Sequence, residues 1–231
     1  MTNQWLIDER QHAGEEHLDP EQVAQYDEKI PFDPSKELEL LHEYGLSEAD
    51  TVVDFGTGTG VFPIAISDYC ARVVAVDVSE TMLDVLRERI ETEGIENVEV
   101  VHDGFVGYEH DGEPASFVFS KNVLHHLPDF WKVEALKTVG ETLEPGGIFR
   151  LRDLVYSFDP GESHEEIESW LDGMESTSFT EEELYAHFRE EFSTYDFLLE
   201  SMLEETGFEI LDSTYSAGFY AAYTCRWTGD S

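Results

Sequence analysis

The sequence predicts an α/β fold, a doubly wound and mostly parallel sheet closed by an antiparallel hairpin. Three observations predict it. Apolar strand patterns alternate with helical patterns from Thr51 to Val155, a glycine-rich turn joins the first of those strands to a helix, and two late strands meet at Ala217-Gly218. Apolar strands separated by helices imply a parallel sheet covered on both faces. A chain of 231 residues that is 41% hydrophobic has enough apolar material for one substantial core.

Each element has its own justification. Residues 37–44 carry Leu38, Leu40, Leu41 and Tyr44 at helical spacing, and Gly45 is placed to end that helix. The segment before it is polar and punctuated by Pro20, Pro31 and Pro34, with a short helix expected over about 21–29. Residues 51–55 then read as a buried strand, 61–69 as a helix, 73–78 as a second buried strand and 80–93 as a helix. Strands follow at 98–102 and 115–120, a helix at 130–142 and a strand at 147–155. A helical insert over about 162–206 has Trp170, Leu184, Phe188, Phe192, Phe197 and Leu198 as its expected apolar face. Strands 208–216 and 219–227 join around Ala217-Gly218, a hairpin signal and so an antiparallel closure. The expectation is a single domain: a helical N-terminal segment acting as lid (1–45), a ligand-binding core (46–156), a helical substrate-side insert (157–207) and a closing hairpin (208–231).

The charge balance narrows the partners. Thirteen Lys+Arg against 52 Asp+Glu give a formal net charge of −39, with acids spread along the whole chain. No Lys/Arg cluster offers the counterion release that drives binding to a phosphate backbone, so no nucleic-acid partner is expected. Such acidity in a folded chain reads as adaptation to molar salt, the mark of a halophile, where the Debye length shrinks to about 3 Å and self-repulsion is screened. No run reaches a membrane span and the start lacks an export pattern, so a cytoplasmic location without membrane association is expected. Cys70 and Cys225 sit among apolar or aromatic neighbours and read as buried thiols. The nine histidines show no His-Glu-x-x-His or paired-Cys pattern, so no metal is expected.

The chemistry begins at Val52-Val53-Asp54-Phe55-Gly56-Thr57-Gly58-Thr59-Gly60. Three alternating glycines let the backbone turn tightly and leave no Cβ against a ligand lying across the strand end. Asp77 ends the next strand, where a carboxylate accepts hydrogen bonds from both hydroxyls of a ribose. A nucleoside ligand follows. A dinucleotide fingerprint would place glycine at 61, where Val61 stands, and no Gly-Lys-Ser/Thr follows for a P-loop.

At these residues the chain resembles the class I S-adenosylmethionine-dependent methyltransferases, in particular their small-molecule, methyltransferase type 11/25-like branch. The first motif of that family is an acid followed by three alternating glycines, here Asp54, Gly56, Gly58 and Gly60. Asp77 is similar to its ribose-binding acid, and Asp103-Gly104-Phe105 to the position whose acid meets the adenine amino group. The run from Phe117 to Pro128, with Asn122, His125 and His126, looks like its fourth-strand motif, and Leu143-Glu144-Pro145-Gly146-Gly147 like the turn before its fifth strand. The resemblance implies a Rossmann-like seven-stranded sheet with S-adenosylmethionine as cofactor. Phe55, Gly56, Thr57 and Gly58 would line the methionine tail, Asp54 would reach its ammonium, and Val78 and Met82 would border the adenine. The loop, with an acid at Asp54 and no Lys or Arg, suits a ligand with a sulfonium and no phosphate.

Methyl transfer from a sulfonium is an in-line displacement, so alignment and desolvation dominate, and a base is needed only if the acceptor carries a proton. The expected reaction-side residues lie where the parallel strands end: Asn122 and His125, then Asp153, with His126 and Tyr156 beside them. His125 is the first choice for a base or a substrate-orienting group. Asp153 has an alternative reading as an ion-pair partner of Arg150 or Arg152. His12, His17 and Tyr26 belong to the segment expected to fold over the cofactor. The leading reading is a methyltransferase for a small-molecule acceptor. The alternatives are an RNA or protein methyltransferase, or a non-catalytic S-adenosylmethionine-binding protein. Acceptor atom and oligomeric state are not legible in the residues.

Overall fold

Strands β1 (Thr51–Phe55), β2 (Arg72–Asp77), β3 (Val98–His102), β4 (Ala115–Lys121) and β5 (Leu143–Tyr156) form the parallel part of the sheet in a computed structural model that describes residues 5–174 and 179–229. Residues 1–4 of the lid span, 175–178 within the insert span and 230–231 of the hairpin span lie outside the described residues. A two-residue strand, β6 (Thr194–Tyr195), pairs with the end of β5, while β7 (Phe208–Ser216) and β8 (Tyr220–Trp227) close the sheet antiparallel. The order is β3-β2-β1-β4-β5-β8-β7. It reverses direction between β1 and β4, which opens a crevice at the carboxyl ends of those two strands.

Alternation along the strands divides the core. Val53, Val74 and Val118 face one cluster with Leu136, Val139 and Leu203, whereas Val52, Val73, Phe117 and Phe119 face another with Leu41, Phe62 and Ile66. Successive side chains of a strand point to opposite faces, so apolar runs such as Val52-Val53 require cover on both sides. Cover on the first face comes from α7 (Asp129–Thr142) and α10 (Asp196–Glu205), and on the second from α4 (Ser35–Glu43) and α5 (Val61–Ile66). Helix α6 (Glu80–Glu93) packs Leu83 and Leu86 against Ala75, with Ser79 capping the Met82 amide and Gly94 ending it at φ 70°. Cys70 and Cys225 are both buried free thiols. No helix among the described residues is long and apolar enough to cross a membrane.

Differences from the sequence reading have local causes. The helix expected over 21–29 is two short pieces, α2 (Pro20–Val23) and α3 (Tyr26–Lys29), after a further turn α1 (Glu15–Leu18). Breaking at Gln25 lets Asp27 accept hydrogen bonds from Thr59 Oγ1 (2.6 Å) and the Arg89 guanidinium, tying the segment to the glycine loop. Strand β5 starts at Leu143 rather than 147, because Leu143 pairs with Ala115 before a register shift. The insert contains α8 (Ser163–Met174), α9 (Glu181–Arg189) and α10. Of its expected apolar face, Leu184 is buried, but Phe192, Phe197 and Leu198 are exposed. Helix α10 instead buries Leu199 and Leu203, four residues apart on one stripe. The hairpin turn sits at Ala217 and Gly218, both with positive φ (53° and 75°), as the tight turn between twisted strands requires.

Candidate functional site

Each glycine of the loop after β1 has positive φ, yet the three meet different surroundings. A Cβ on Gly56 would lie 2.0 Å from Val123, and one on Gly60 would lie 2.2 Å from Leu86. Those two positions are bare because protein packs against them. A Cβ on Gly58 would meet nothing within 4 Å, so its bare backbone faces open space. The Gly58 amide donates to Asp77 Oδ2 and the Ser79 amide to Asp77 Oδ1, both at 2.8 Å. Burial raises the Asp77 carboxyl above its ordinary value, against these two donors and the nearby His17 and His102.

This corner is the floor of a partly open cavity of about 80 Å³. Of the residues the sequence proposed for the cofactor, Phe55, Gly56, Gly58, Asp77, Val78, Asp103, Gly104, Phe105 and Asn122 line it. Asp54, Thr57, Gly60 and Met82 do not. Asp54 is buried beneath the loop, where Thr57 Oγ1 donates to it at 2.6 Å. Burial, with the Asp77 charge, pushes its carboxyl up to about 7 despite the Thr57 hydroxyl and Lys121. Met82 is buried in the first turn of α6, and Gly60 caps the start of α5.

Residues that drew no role from the sequence also line the cavity. Glu9 reaches across from the N-terminal segment, and its carboxylate accepts from the amides of Phe105 (2.9 Å) and Val106 (2.7 Å). Nothing near Glu9 in the chain signals this contact, which spans 96 positions. Lys121, the last residue of β4, lines the same wall. Burial and Arg152 lower its ammonium to about 8, against Asp153 and Asp54.

A second, larger cavity of about 810 Å³ adjoins the first. His17, Tyr26, Asn122 and His126 border both. The walls of the second come from the short N-terminal helices and from α9 with its flanking residues, including Glu16, Asp19, Glu21, Lys29, Phe179, Glu183 and Glu191. Lys29 is paired with Glu183, which holds the N-terminal segment to the insert. Asn122 stands at φ 57° just past β4, a left-handed conformation that Asn tolerates better than most residues. Its amide donates to Arg152 O at 2.8 Å, fixing the strand end.

His125 and Asp153 come together, but beneath the surface of this cavity. His125 lines it, is 4% exposed, and bonds through Nδ1 to Asp153 Oδ1; Asp153 lines neither cavity. Asp153 also accepts from the amides of His125 (3.3 Å) and Leu154 (2.7 Å). Burial disfavours charge on His125, but the Asp153 and Glu191 carboxylates raise its imidazole above the usual value. His126 goes the other way: burial and the neighbouring histidines 125, 17, 187 and 12 hold it well below. The ion-pair reading of Asp153 fails, since Arg150 and Arg152 both bond to the buried carboxylate of Glu37, at 2.7 and 2.9 Å. Tyr156 lies in an aromatic group with Phe158, Phe188 and Phe219 and lines neither cavity.

Comparison with known proteins gives a matching domain model over part of the chain and a consistent fold. Residues 52–147 match the model of a family described as "Methyltransferase domain". The chain is 27% identical over 183 residues to a ubiquinone biosynthesis O-methyltransferase of Idiomarina loihiensis, covering 71% of this chain and 69% of that one. It is 23% identical over 118 residues to an uncharacterized methyltransferase of Oceanobacillus iheyensis, covering 51% of this chain and about half, 53%, of that relative. Among solved structures, phosphoethanolamine N-methyltransferase 2 of Haemonchus contortus superposes with a TM-score of 0.71 at 17% identity, over 96% of this chain and 60% of that one. The fold is the Rossmann-like methyltransferase fold with antiparallel C-terminal strands.

Proposed function

We propose that this chain is an S-adenosylmethionine-dependent methyltransferase and that its acceptor is a small molecule held in the 810 Å³ cavity. The observation that carries the reading is the pairing of Asp77 with the bare backbone of Gly58, on the wall of a cavity that adjoins a larger one. The loop N-terminal to α5 presents an acid and no lysine or arginine, which fits a phosphate-free adenosyl ligand and not a pyrophosphate. When bound, the cofactor supplies an electrophilic methyl group on a sulfonium.

The chain's residues then divide the work. Asp77 takes the ribose, Val78, Asp103, Gly104 and Phe105 enclose the base, and Phe55, Gly56, Gly58 and Lys121 border the amino-acid tail. Asp54 acts from beneath, through the loop it holds with Thr57, while Gly60 and Met82 support the loop and α6. Glu9 must leave its two backbone donors before an adenine fits, because about 80 Å³ is far below the several hundred that such a ligand needs. Asn122 and His126 sit where the two cavities meet and orient the acceptor. His125, with Nδ1 committed to Asp153, is a positioning residue, and Asp153 sets its tautomer and ring plane.

Two relatives have names that concern small acceptors, ubiquinone biosynthesis and phosphoethanolamine, whereas others are named for ribosomal RNA and for the cypemycin N-terminus. The net charge of −39 supports a small acceptor over RNA, and we infer a saline habitat from it as well. The test is label transfer from methyl-labelled S-adenosylmethionine into three pools: low-mass metabolites, RNA and protein. The reading expects label in the metabolite pool. Label confined to RNA or protein, or none anywhere, overturns it.

A further inference from the structure

Three potential ligand atoms from two distant parts of the chain meet at the wall of the acceptor cavity. His125, His126 and Glu191 each offer one, all within 4.8 Å of one another. The histidines occupy the turn after β4, and Glu191 follows the end of α9, so no sequence spacing links them. We propose that His125, His126 and Glu191 form a binding site for one divalent transition-metal ion, with its remaining coordination positions open to the acceptor cavity.

Local geometry favours an ion over a hydrogen-bonded chain. His125 Nδ1 is bonded to the Asp153 carboxylate, which leaves Nε2 as the outward donor atom. A histidine held by a carboxylate through one ring nitrogen is the arrangement that orients metal-bound imidazoles. His125 Nε2 lies 3.5 Å from Glu191 Oε2. That is long for an N–H···O bond, whose usual upper limit is about 3.2 Å. It matches the separation of about 3.3 Å between two ligands of a tetrahedral ion with bonds of about 2.0–2.1 Å. Glu191 is itself oriented, since His187 Nδ1 lies 2.6 Å from its Oε2.

The donor set and the access agree. Two imidazoles and one carboxylate at a tetrahedral separation suit Zn²⁺ or Co²⁺ better than Mg²⁺ or Ca²⁺, which prefer all-oxygen shells. His125, His126 and Glu191 all line the 810 Å³ cavity, so an ion has an entry path and room for a further ligand. His126 borders the cofactor cavity too, which puts the ion beside the junction of the two. The competing account is a protonated His125 bridging Asp153 and Glu191 with no ion present. Metal binding is independent of the methyl-transfer reading, and its test is read without turnover.

The full chain, stripped with chelator and kept in molar KCl to suppress binding to its 52 acidic residues, is titrated calorimetrically with Zn²⁺ and spectroscopically with Co²⁺. The expected result is one equivalent bound, with the intense visible bands of four- or five-coordinate Co²⁺. Asp153→Asn should weaken binding by about 10–100-fold. His126→Asn and Glu191→Gln should weaken it at least as much, with near-ultraviolet circular dichroism showing that the variants fold. Absence of a saturable equivalent in the wild-type chain overturns the proposal. So does a bound equivalent that folded His126→Asn and Glu191→Gln variants retain at full affinity, or a Co²⁺ spectrum of the pale six-coordinate type.

Discussion

Replacing Glu9 with Ala should tighten cofactor binding. The Glu9 carboxylate accepts two backbone bonds, from Phe105 at 2.9 Å and Val106 at 2.7 Å, and a Cβ on Gly104 would meet it at 2.4 Å. It therefore fills the space beside Asp103 and Gly104. A hydrogen bond to a charged group contributes about 1.5–3 kcal/mol. Burial pushes the Glu9 carboxyl above its ordinary value even with both donors present, so desolvation offsets part of the pair. A net latch of about one such bond remains, roughly 1.5–3 kcal/mol. When the open form is the minor one, apparent affinity falls by the open fraction, so Glu9→Ala should lower the dissociation constant by about 10- to 150-fold. Calorimetric titration of both proteins with S-adenosylhomocysteine measures it. An unchanged or weaker affinity in the variant would refute the latch and make Glu9 a ligand contact instead.

Other perturbations separate the parts of the site. Gly58→Ala should fold with a loss of about 1–2 kcal/mol for its left-handed φ but bind cofactor poorly, whereas Gly60→Ala should lose more stability through contact with Leu86; thermal unfolding paired with titration distinguishes them, and equal behaviour in both assays contradicts the assignment. Asp54 holds its proton to about 7 when folded and to about 3.8 when unfolded, so the folded state binds more protons between those values and stability falls as pH rises through them. Asp54→Asn should flatten that slope in unfolding midpoints taken from about pH 4 to about pH 7, and parallel profiles would remove the buried-acid account. For the whole chain, the net charge of −39 predicts loss of the folded circular dichroism signal on transfer from molar KCl to dilute buffer. A signal that stays constant contradicts it.

Much of the core was legible because its signals are local. Strand β1, helix α6 and strand β3 match the expected limits residue for residue, since short β-branched runs and a capped amphipathic helix carry their own boundaries. Asp77 and Gly58 could be placed together because strand, loop and strand come in a fixed order around the switch point. What was not legible depends on long-range packing. The two-residue β6 exists only through pairing with Val155 and Tyr156. Phe197 and Leu198 have the composition of a core face, yet α10 turns Leu199 and Leu203 inward to meet the sheet. Glu9 and Glu191 reach the site from segments with no motif, and Asp153 pairs with His125 while the distant Glu37 holds both arginines.

The most direct measurement is a calorimetric titration of the full chain and its Asp77→Ala variant with S-adenosylhomocysteine, with NAD run in parallel. The account predicts one saturable site for the nucleoside on the wild-type chain and no heat from NAD. In the variant, affinity should be weaker by about 1.5–3 kcal/mol, the contribution of charge-assisted bonds to the ribose. No binding of S-adenosylhomocysteine, saturable binding of NAD in its place, or equal affinity in the variant would contradict it.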